Sequence, residues 1–171
     1  MVENNDITNE IITALLPLKG QNLNYIGRAA NMLDIGFGEN VKYVSLNDNE
    51  RIVAYYVIHI QTSWRFIKDE KIILAFSDFY NPKDDISYEV FQENQFGNSQ
   101  FDSRSNEINE LINSTEIKIV NIIANDFGDI TIYFDNKFRL EVFVDVSGVE
   151  ESWRLFKIGD DSEHFVVFDE G

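Results

Sequence analysis

Hydrophobic and polar residues alternate along several short stretches of the chain, as they do in half-buried β-strands. In "RLEVFVDV" (139–146), every second residue from Leu140 to Val146 is apolar. The stretches "LDIGF" (33–37) and "ITIYF" (130–134) alternate in the same way. Turn-forming residues separate these stretches, and the connections are short. We therefore expect neighbouring strands to pair antiparallel, most simply as a meander.

Two stretches with helical spacing precede the predicted strands. In "DITNEIITALL" (6–16), apolar residues recur at helical spacing and Asp6 is a candidate N-cap. In "SRSNEINELIN" (103–113), the apolar residues form a stripe and either Ser103 or Ser105 is a candidate N-cap. Each predicted helix leads directly into the first strand of a set.

A Ser-Trp-Arg phrase occurs twice, as "SWRFIK" (63–68) and "SWRLFK" (152–157). The flanking segments correspond in the same order: 23–30 with 117–124, 33–37 with 130–134, 51–60 with 139–146, and 72–76 with 165–168. Self-similarity in fixed order is typical of a duplicated unit. We therefore predict an α+β fold, mostly antiparallel β, built by tandem duplication of a helix and a meander of about four strands.

The predicted organisation has three parts. Residues 1–80 form the first α+β repeat, residues 81–102 form an aromatic and acidic connecting insertion, and residues 103–171 form the second repeat. Each repeat alone is small for an independent core, so we expect one compact body.

The repeated phrase favours a structural role over a reactive site. A serine nucleophile needs a general base, and neither copy of the phrase contains a histidine. Trp64 and Trp153 are expected to bury large apolar areas, and Arg65 and Arg154 are expected to pair with carboxylates.

The two repeats differ on one strand face. The alternate residues Val53, Tyr55 and Val57 are apolar, whereas the matching stretch 141–145 carries Glu141 and Asp145. We expect the first sheet to be covered on both sides there, by a helix, by the other repeat or by a partner.

Composition narrows the partner classes. The chain of 171 residues has 30 acidic and 14 basic residues, a net charge of −16, which opposes binding to nucleic acid or to an anionic membrane. A basic protein partner suits this charge, although surface acids also serve solubility. Cysteine is absent, no apolar run is long enough to cross a bilayer, and "MVENNDITNE" lacks secretory-signal features. We therefore expect a cytoplasmic location.

Motifs for catalysis, cofactors and metals are not apparent in the sequence. His59 and His164 lack zinc-type spacing, and no phosphate-cradling glycine motif is present. An acidic cluster near the C-terminus lacks the spacing of a calcium-binding loop, which favours a solvated tail over a cation site. Its members are Asp160, Asp161, Glu163, Asp169 and Glu170. We predict no catalytic residue, no cofactor and no metal.

The predicted insertion is rich in aromatic and acidic residues, which is unusual for a simple linker. One interpretation is that residues 86–91 add a strand and the later phenylalanines anchor a long loop. The other is that the insertion presents aromatic anchors to a partner, because long ordered loops often carry recognition. Its partner-binding candidates are Asp84, Asp85, Tyr88, Glu89, Phe91, Glu93, Phe96 and Phe101.

In size, acidity and lack of cysteine and of motifs, the chain resembles the small immunity proteins that bacteria encode beside contact-dependent or polymorphic toxins, and uncharacterised proteins of such loci. The resemblance implies a non-enzymatic module that neutralises a basic toxin. Two alternatives stay open: a small-ligand binder or structural subunit that uses the seam between the repeats, and an enzyme of unrecognised kind. The oligomeric state is not predicted.

Overall fold

The computed structural model describes residues 7–159 and 163–168. Within these residues, ten strands form two antiparallel sheets of five strands each, accompanied by two α-helices and by 3₁₀ helices at Leu16–Leu18 and Phe76–Tyr80. The helices are α1 (Ile7–Leu15) and α2 (Gln100–Ser114). The strands are β1 (Leu23–Ala29), β2 (Met32–Val44), β3 (Glu50–Ile60), β4 (Ser63–Lys68), β5 (Lys71–Ala75), β6 (Ile119–Ala124), β7 (Ile130–Phe134), β8 (Phe138–Phe143), β9 (Glu151–Lys157) and β10 (Phe165–Phe168).

The strand order confirms the α+β, antiparallel class and corrects the predicted topology. One sheet has the order β1-β2-β3-β9-β10, and the other has the order β5-β4-β8-β7-β6. The first half of the chain contributes β1–β5, and the second half contributes β6–β10. In each half, only the first three strands form a meander. The last two strands of each half form a hairpin in the sheet of the other half. The prediction of a four-stranded meander in each half was wrong.

In the first half of the chain, the hairpin enters the other sheet at a corner between β3 and β4. Only Gln61 and Thr62 separate the two strands, and the Thr62 hydroxyl donates to the Phe143 carbonyl at 2.5 Å and contacts the Asp145 carboxylate at 2.6 Å. The Ser63 hydroxyl also donates to Asp145. These bonds hold the start of β4 beside β8 of the other sheet.

The two halves also meet in matching ways. Helix α1 packs against β6, and α2 packs against β1, so each helix contacts the first strand of the other half. At the junction of β1 and β6, the Leu23 amide donates to the Ile117 carbonyl (2.7 Å) and the Ile119 amide donates to the Gln21 carbonyl (2.9 Å). The rings of Phe37 and Phe134 stack across the seam at 6.3 Å.

The core lies between the sheets and consists mainly of the inward residues of alternating strands. The predicted alternation is confirmed in β2 and β7, whose buried residues are Leu33, Ile35, Phe37, Ile130, Ile132 and Phe134. In β8 the buried residues Leu140 and Val142 follow the predicted pattern, but the strand ends at Phe143 rather than at residue 146.

Strand register shows where the predicted correspondence of the halves fails. Ile58 lies opposite Ile35, and Leu140 lies opposite Ile132, so Leu140 of β8 occupies the position of Ile58 in β3. The sequence match of 51–60 with 139–146 instead places Arg51 against Arg139. The reason is an extension of β2 and β3, residues 40–53, which the second half lacks. We call it the β2–β3 arm.

The outer face of β3 is covered in part. Val57 is buried, whereas Val53 and Tyr55 are half-buried. The helices pack elsewhere, because α1 contacts β6 and α2 contacts β1, β5 and the 3₁₀ helix Phe76–Tyr80. Of the three expected covers, a helix is therefore not seen on this face within the described residues.

The first helix begins at Ile7 and buries Ile11 and Leu15; its predicted cap, Asp6, lies outside the described residues. The second helix begins at Gln100, and its N-cap is Ser99, whose hydroxyl accepts a hydrogen bond from the Asp102 amide at 3.2 Å. The predicted caps Ser103 and Ser105 were wrong, because both lie inside the helix.

Both tryptophans of the repeated phrase are core residues. The indole nitrogen of Trp153 donates to the Gly128 carbonyl at 2.9 Å, whereas the buried indole nitrogen of Trp64 has no hydrogen-bond partner in the described part of the chain. Arg65 pairs with Glu141 and Arg154 pairs with Glu151, as expected.

No helix that the structure describes is both long and apolar enough to cross a membrane.

Candidate partner-binding surface

The predicted insertion forms an ordered loop between the 3₁₀ helix Phe76–Tyr80 and α2. Its two ends are joined, because the Lys83 amide donates to the Asn98 carbonyl (2.9 Å) and the Gln100 amide donates to the Asn81 carbonyl (2.8 Å). Residues 86–91 form turns and no strand, so the predicted extra strand was wrong. We call residues 83–98 the acidic loop.

Arg28, on β1, holds the acidic loop from inside. Its Nε and Nη2 donate to the two carboxylate oxygens of Asp102 at 2.8 Å each. Its Nη1 donates to the carbonyls of Ala30 (3.1 Å) and Glu93 (2.8 Å), and Nη2 also approaches the Gln95 carbonyl at 3.4 Å. The buried guanidinium therefore uses all its donors, two of them on the loop backbone.

Asp102, in the first turn of α2, fastens the end of the loop. One oxygen of its carboxylate accepts from the Gly97 amide (3.0 Å), the Ser99 amide (3.1 Å) and the Ser99 hydroxyl (2.9 Å). Burial raises the pKa of the Asp102 carboxyl, but the hydrogen bonds from Ser99 and Arg28 and the charge of Arg28 outweigh it. The pKa therefore lies below its ordinary value.

This pKa predicts that acid loosens the loop. A carboxylate with a depressed folded-state pKa contributes stability above its unfolded pKa, about 3.9, and loses that contribution as the pH falls through the folded-state value. Amide hydrogen exchange in residues 83–98 should keep its protection between about pH 7 and 5 and lose it below about pH 4. The variant Asp102→Asn is the control, and its loop should already exchange faster at pH 7. Equal protection in both proteins would contradict the role of Asp102.

The acidic loop exposes apolar and acidic side chains together. Tyr88 is 72% exposed, and Val90 and Phe96 are each 67% exposed. The carboxylates of the predicted candidates are also exposed; they belong to Asp84, Asp85, Glu89 and Glu93. Phe91 is half-buried.

Phe96 and Phe101 have different environments. The Phe96 ring lies 4.8 Å from the Arg28 guanidinium carbon on one side and is exposed on the other. Phe101 is only 1% exposed and packs against Phe79 at 4.5 Å and Trp64 at 6.0 Å. Phe101 is therefore a core residue that anchors α2 and is not available as a direct partner contact.

A cleft of about 370 Å³ lies beside Phe96, between the loop, β1 and α2. Its lining includes Ile26 and Phe101. On the α2 side, the Asn109 amide group pairs with both backbone groups of Ile26, donating to the carbonyl at 2.7 Å and accepting from the amide at 2.9 Å. This side chain covers part of the free edge of β1, so the cleft has a fixed wall.

The histidines come together on the outer face of the first sheet, which sequence spacing did not predict. The His59 ring meets Phe156 edge-on at 4.7 Å, and the His164 ring stacks on Phe156 at 4.7 Å. His59 Nε2 lies 3.5 Å from Asp34, which also accepts from the Tyr25 hydroxyl at 2.7 Å. Burial, followed by the charge of Asp34, raises the pKa of Tyr25.

Within residues 7–159 and 163–168, no group of three or more histidine and acidic side chains could hold a metal ion. Of the acidic cluster near the C-terminus, only Glu163 belongs to these residues, and it is exposed. Asp160, Asp161, Asp169 and Glu170 lie outside them.

Sequence reasoning missed the residues that organise the loop. Arg28 lies in the segment 23–30, which was compared only as part of the repeat, although an arginine is rarely buried without a partner. The stretch Ser99-Gln100-Phe101-Asp102 contains a capping-box spacing that marks the true start of α2. The pairing of Arg28 with Asp102 joins residues 74 positions apart and has no local sequence signal.

Comparison with protein-family models, with curated proteins and with solved structures finds no match to this chain.

Proposed function

We propose that this chain is a non-enzymatic protein-binding module that captures a basic partner protein through the acidic loop. The observation that carries the proposal is that Tyr88, Val90 and Phe96 project into solvent from a loop whose backbone is held by a buried Arg28–Asp102 pair. Exposed apolar side chains that are grouped within a polar surrounding are typical of interaction sites. A bacterial toxin is the partner that the resemblance to immunity proteins suggests, and the cytoplasm is the location that we infer for the encounter.

Preorganisation supports this proposal. Ordering a flexible loop upon binding costs free energy for each immobilised side chain, so a loop that is already fixed retains more of its contact energy. The exposed aromatic residues would form the centre of the interface, and the acids around them would form its charged rim.

The negative charge of the acidic loop supports a basic partner. The acidic loop has four acids and one base, Lys83, within a chain of net charge −16. Lys83 Nζ lies 3.8 Å from Asp85, so the single base of the loop is partly neutralised. A field of this sign attracts a basic protein and accelerates its capture at low salt.

We also infer that the two halves arose by tandem duplication. The support is that strands β1–β5 and β6–β10 occupy corresponding places in the two sheets, and that both Ser-Trp-Arg phrases start the exchanged hairpins. The acidic loop and the β2–β3 arm are the parts without a counterpart, so they are the parts free to acquire a specific role.

Charge reversal tests the binding surface. A pull-down from native cytosol containing the products of neighbouring genes, read by mass spectrometry, identifies the partner. We expect Asp84→Lys/Asp85→Lys to weaken capture of that partner by about tenfold or more. The main cause is a slower association rate, and its difference from the rate of the native chain is largest at low salt.

The matched control is Glu150→Lys/Glu163→Lys, which changes net charge equally at exposed acids outside the loop. This control should bind almost as well as the native chain. Equal weakening in both variants would show that net charge alone, and not the acidic loop, selects the partner. Recovery of no basic partner would favour the ligand-binding alternative.

A further inference from the structure

The β2–β3 arm extends past both neighbouring strands. β1 pairs with β2 only as far as Phe37, and β9 pairs with β3 only from Tyr56 onward. The remaining register, from Asn40 opposite Ala54 to Val44 opposite Glu50, is a ribbon of two strands. Such a ribbon is only marginally stable in water, so this arm gains from being covered.

The two faces of the arm differ. Val41, Tyr43, Arg51 and Val53 share one face, on which both valines are half-buried. Lys42, Val44, Glu50 and Ile52 share the other face. On this second face Val44 is 56% exposed and Ile52 is 71% exposed, and both charged residues are exposed as well.

The second face is self-complementary. Lys42 lies opposite Ile52, and Val44 lies opposite Glu50. Of the two diagonals of this group, the one from Val44 to Ile52 is apolar, and the one from Lys42 to Glu50 carries opposite charges. A two-fold axis along the apolar diagonal would place Ile52 against Ile52 and Val44 against Val44 of a second copy. The same axis would place each Lys42 against a Glu50. This is the pattern that an isologous interface requires.

The charges of this face are available for such a contact. Neither Lys42 nor Glu50 forms an ion pair with any residue in the ranges 7–159 and 163–168. The arm contains two acids, Asp48 and Glu50, and two bases, Lys42 and Arg51, so its net charge is zero. Two chains of net charge −16 repel each other least where their contact surfaces are neutral.

We propose that the β2–β3 arm docks face to face on the arm of a second copy of this chain. The arm lies at the end of the first sheet away from Arg28, so the contact leaves the acidic loop accessible. A four-residue face buries little area, which places the dimer among weak, concentration-dependent complexes.

Sedimentation velocity of the purified chain at low salt, from about 10 µM to about 1 mM, measures this association in the range expected for a small interface. The variants Lys42→Glu and Glu50→Lys should each dimerise about tenfold or more weakly, because each creates two like-charge contacts. Mixing the two variants in equal amounts should restore association, since each charge again meets its opposite. Circular dichroism checks that both variants fold.

The matched controls are Lys71→Glu and Glu163→Lys, which make the same charge changes at exposed positions outside the arm. These controls should dimerise like the native chain. A native chain that stays monomeric at the highest concentration would overturn the proposal. So would weakened variants that fail to restore each other on mixing, because a contact with different geometry or a different occupant lacks that reciprocity.

Discussion

Trp153→Ala is expected to lower the free energy of unfolding by roughly 3 to 5 kcal/mol, and Trp64→Ala by a similar amount. Both indoles are buried, and each lies at the start of an exchanged hairpin, where it packs inside the sheet of the other half. Small proteins are stable by only about 5 to 15 kcal/mol, so either loss is large. Urea unfolding followed by circular dichroism measures the change.

Phenylalanine substitutions separate the two sites. Trp153→Phe leaves the Gly128 carbonyl without its donor, whereas Trp64→Phe removes an indole nitrogen that has no hydrogen-bond partner in the described part of the chain. We therefore expect Trp153→Phe to cost about 1 kcal/mol more than Trp64→Phe. Tryptophan variants that unfold like the native chain but lose partner capture would show that the repeated phrase is functional and not structural.

The local fold follows from the sequence because alternation determines which side chains face the core. Leu33, Ile35 and Phe37 are buried as their spacing predicts, and so are their counterparts in β7. The exchange of hairpins does not follow, because the pattern of β4 is the same in whichever sheet it pairs. The contacts that hold β4 in the other sheet include those of Thr62 with residues more than 80 positions away.

Composition predicted an aromatic and acidic connecting segment but not the contacts that hold it. Residues 81–102 are dense in aromatic and acidic side chains, and seven of the eight candidates lie on the acidic loop, six of them exposed and Phe91 half-buried. Phe101 differs because it follows Ser99, the helix cap, and α2 turns its ring into the core. Single-residue hydrophobicity does not distinguish Phe96 from Phe101; only the position of the helix start does.

Arg28→Met is expected to destabilise the fold by about 3 to 5 kcal/mol, because it leaves the Asp102 carboxylate buried without its counter-charge. Methionine keeps much of the apolar volume of the side chain, so the cost reports mainly the lost charge and hydrogen bonds. The carbonyls of Glu93 and Gln95 also lose their donor. Hydrogen exchange should therefore rise across residues 83–98 even under conditions in which the core strands stay protected.

A double-mutant cycle with Asp102→Asn isolates the contribution of the pair. The double variant should be less destabilised than the sum of the single variants, by about 1 to 3 kcal/mol, because neither partner is left charged and alone. Partner capture should weaken in Arg28→Met even though the residue is buried, since the loop must then be ordered during binding. Additive single effects with unchanged loop exchange would mean that Arg28 and Asp102 act independently and that the acidic loop is held by its turns alone.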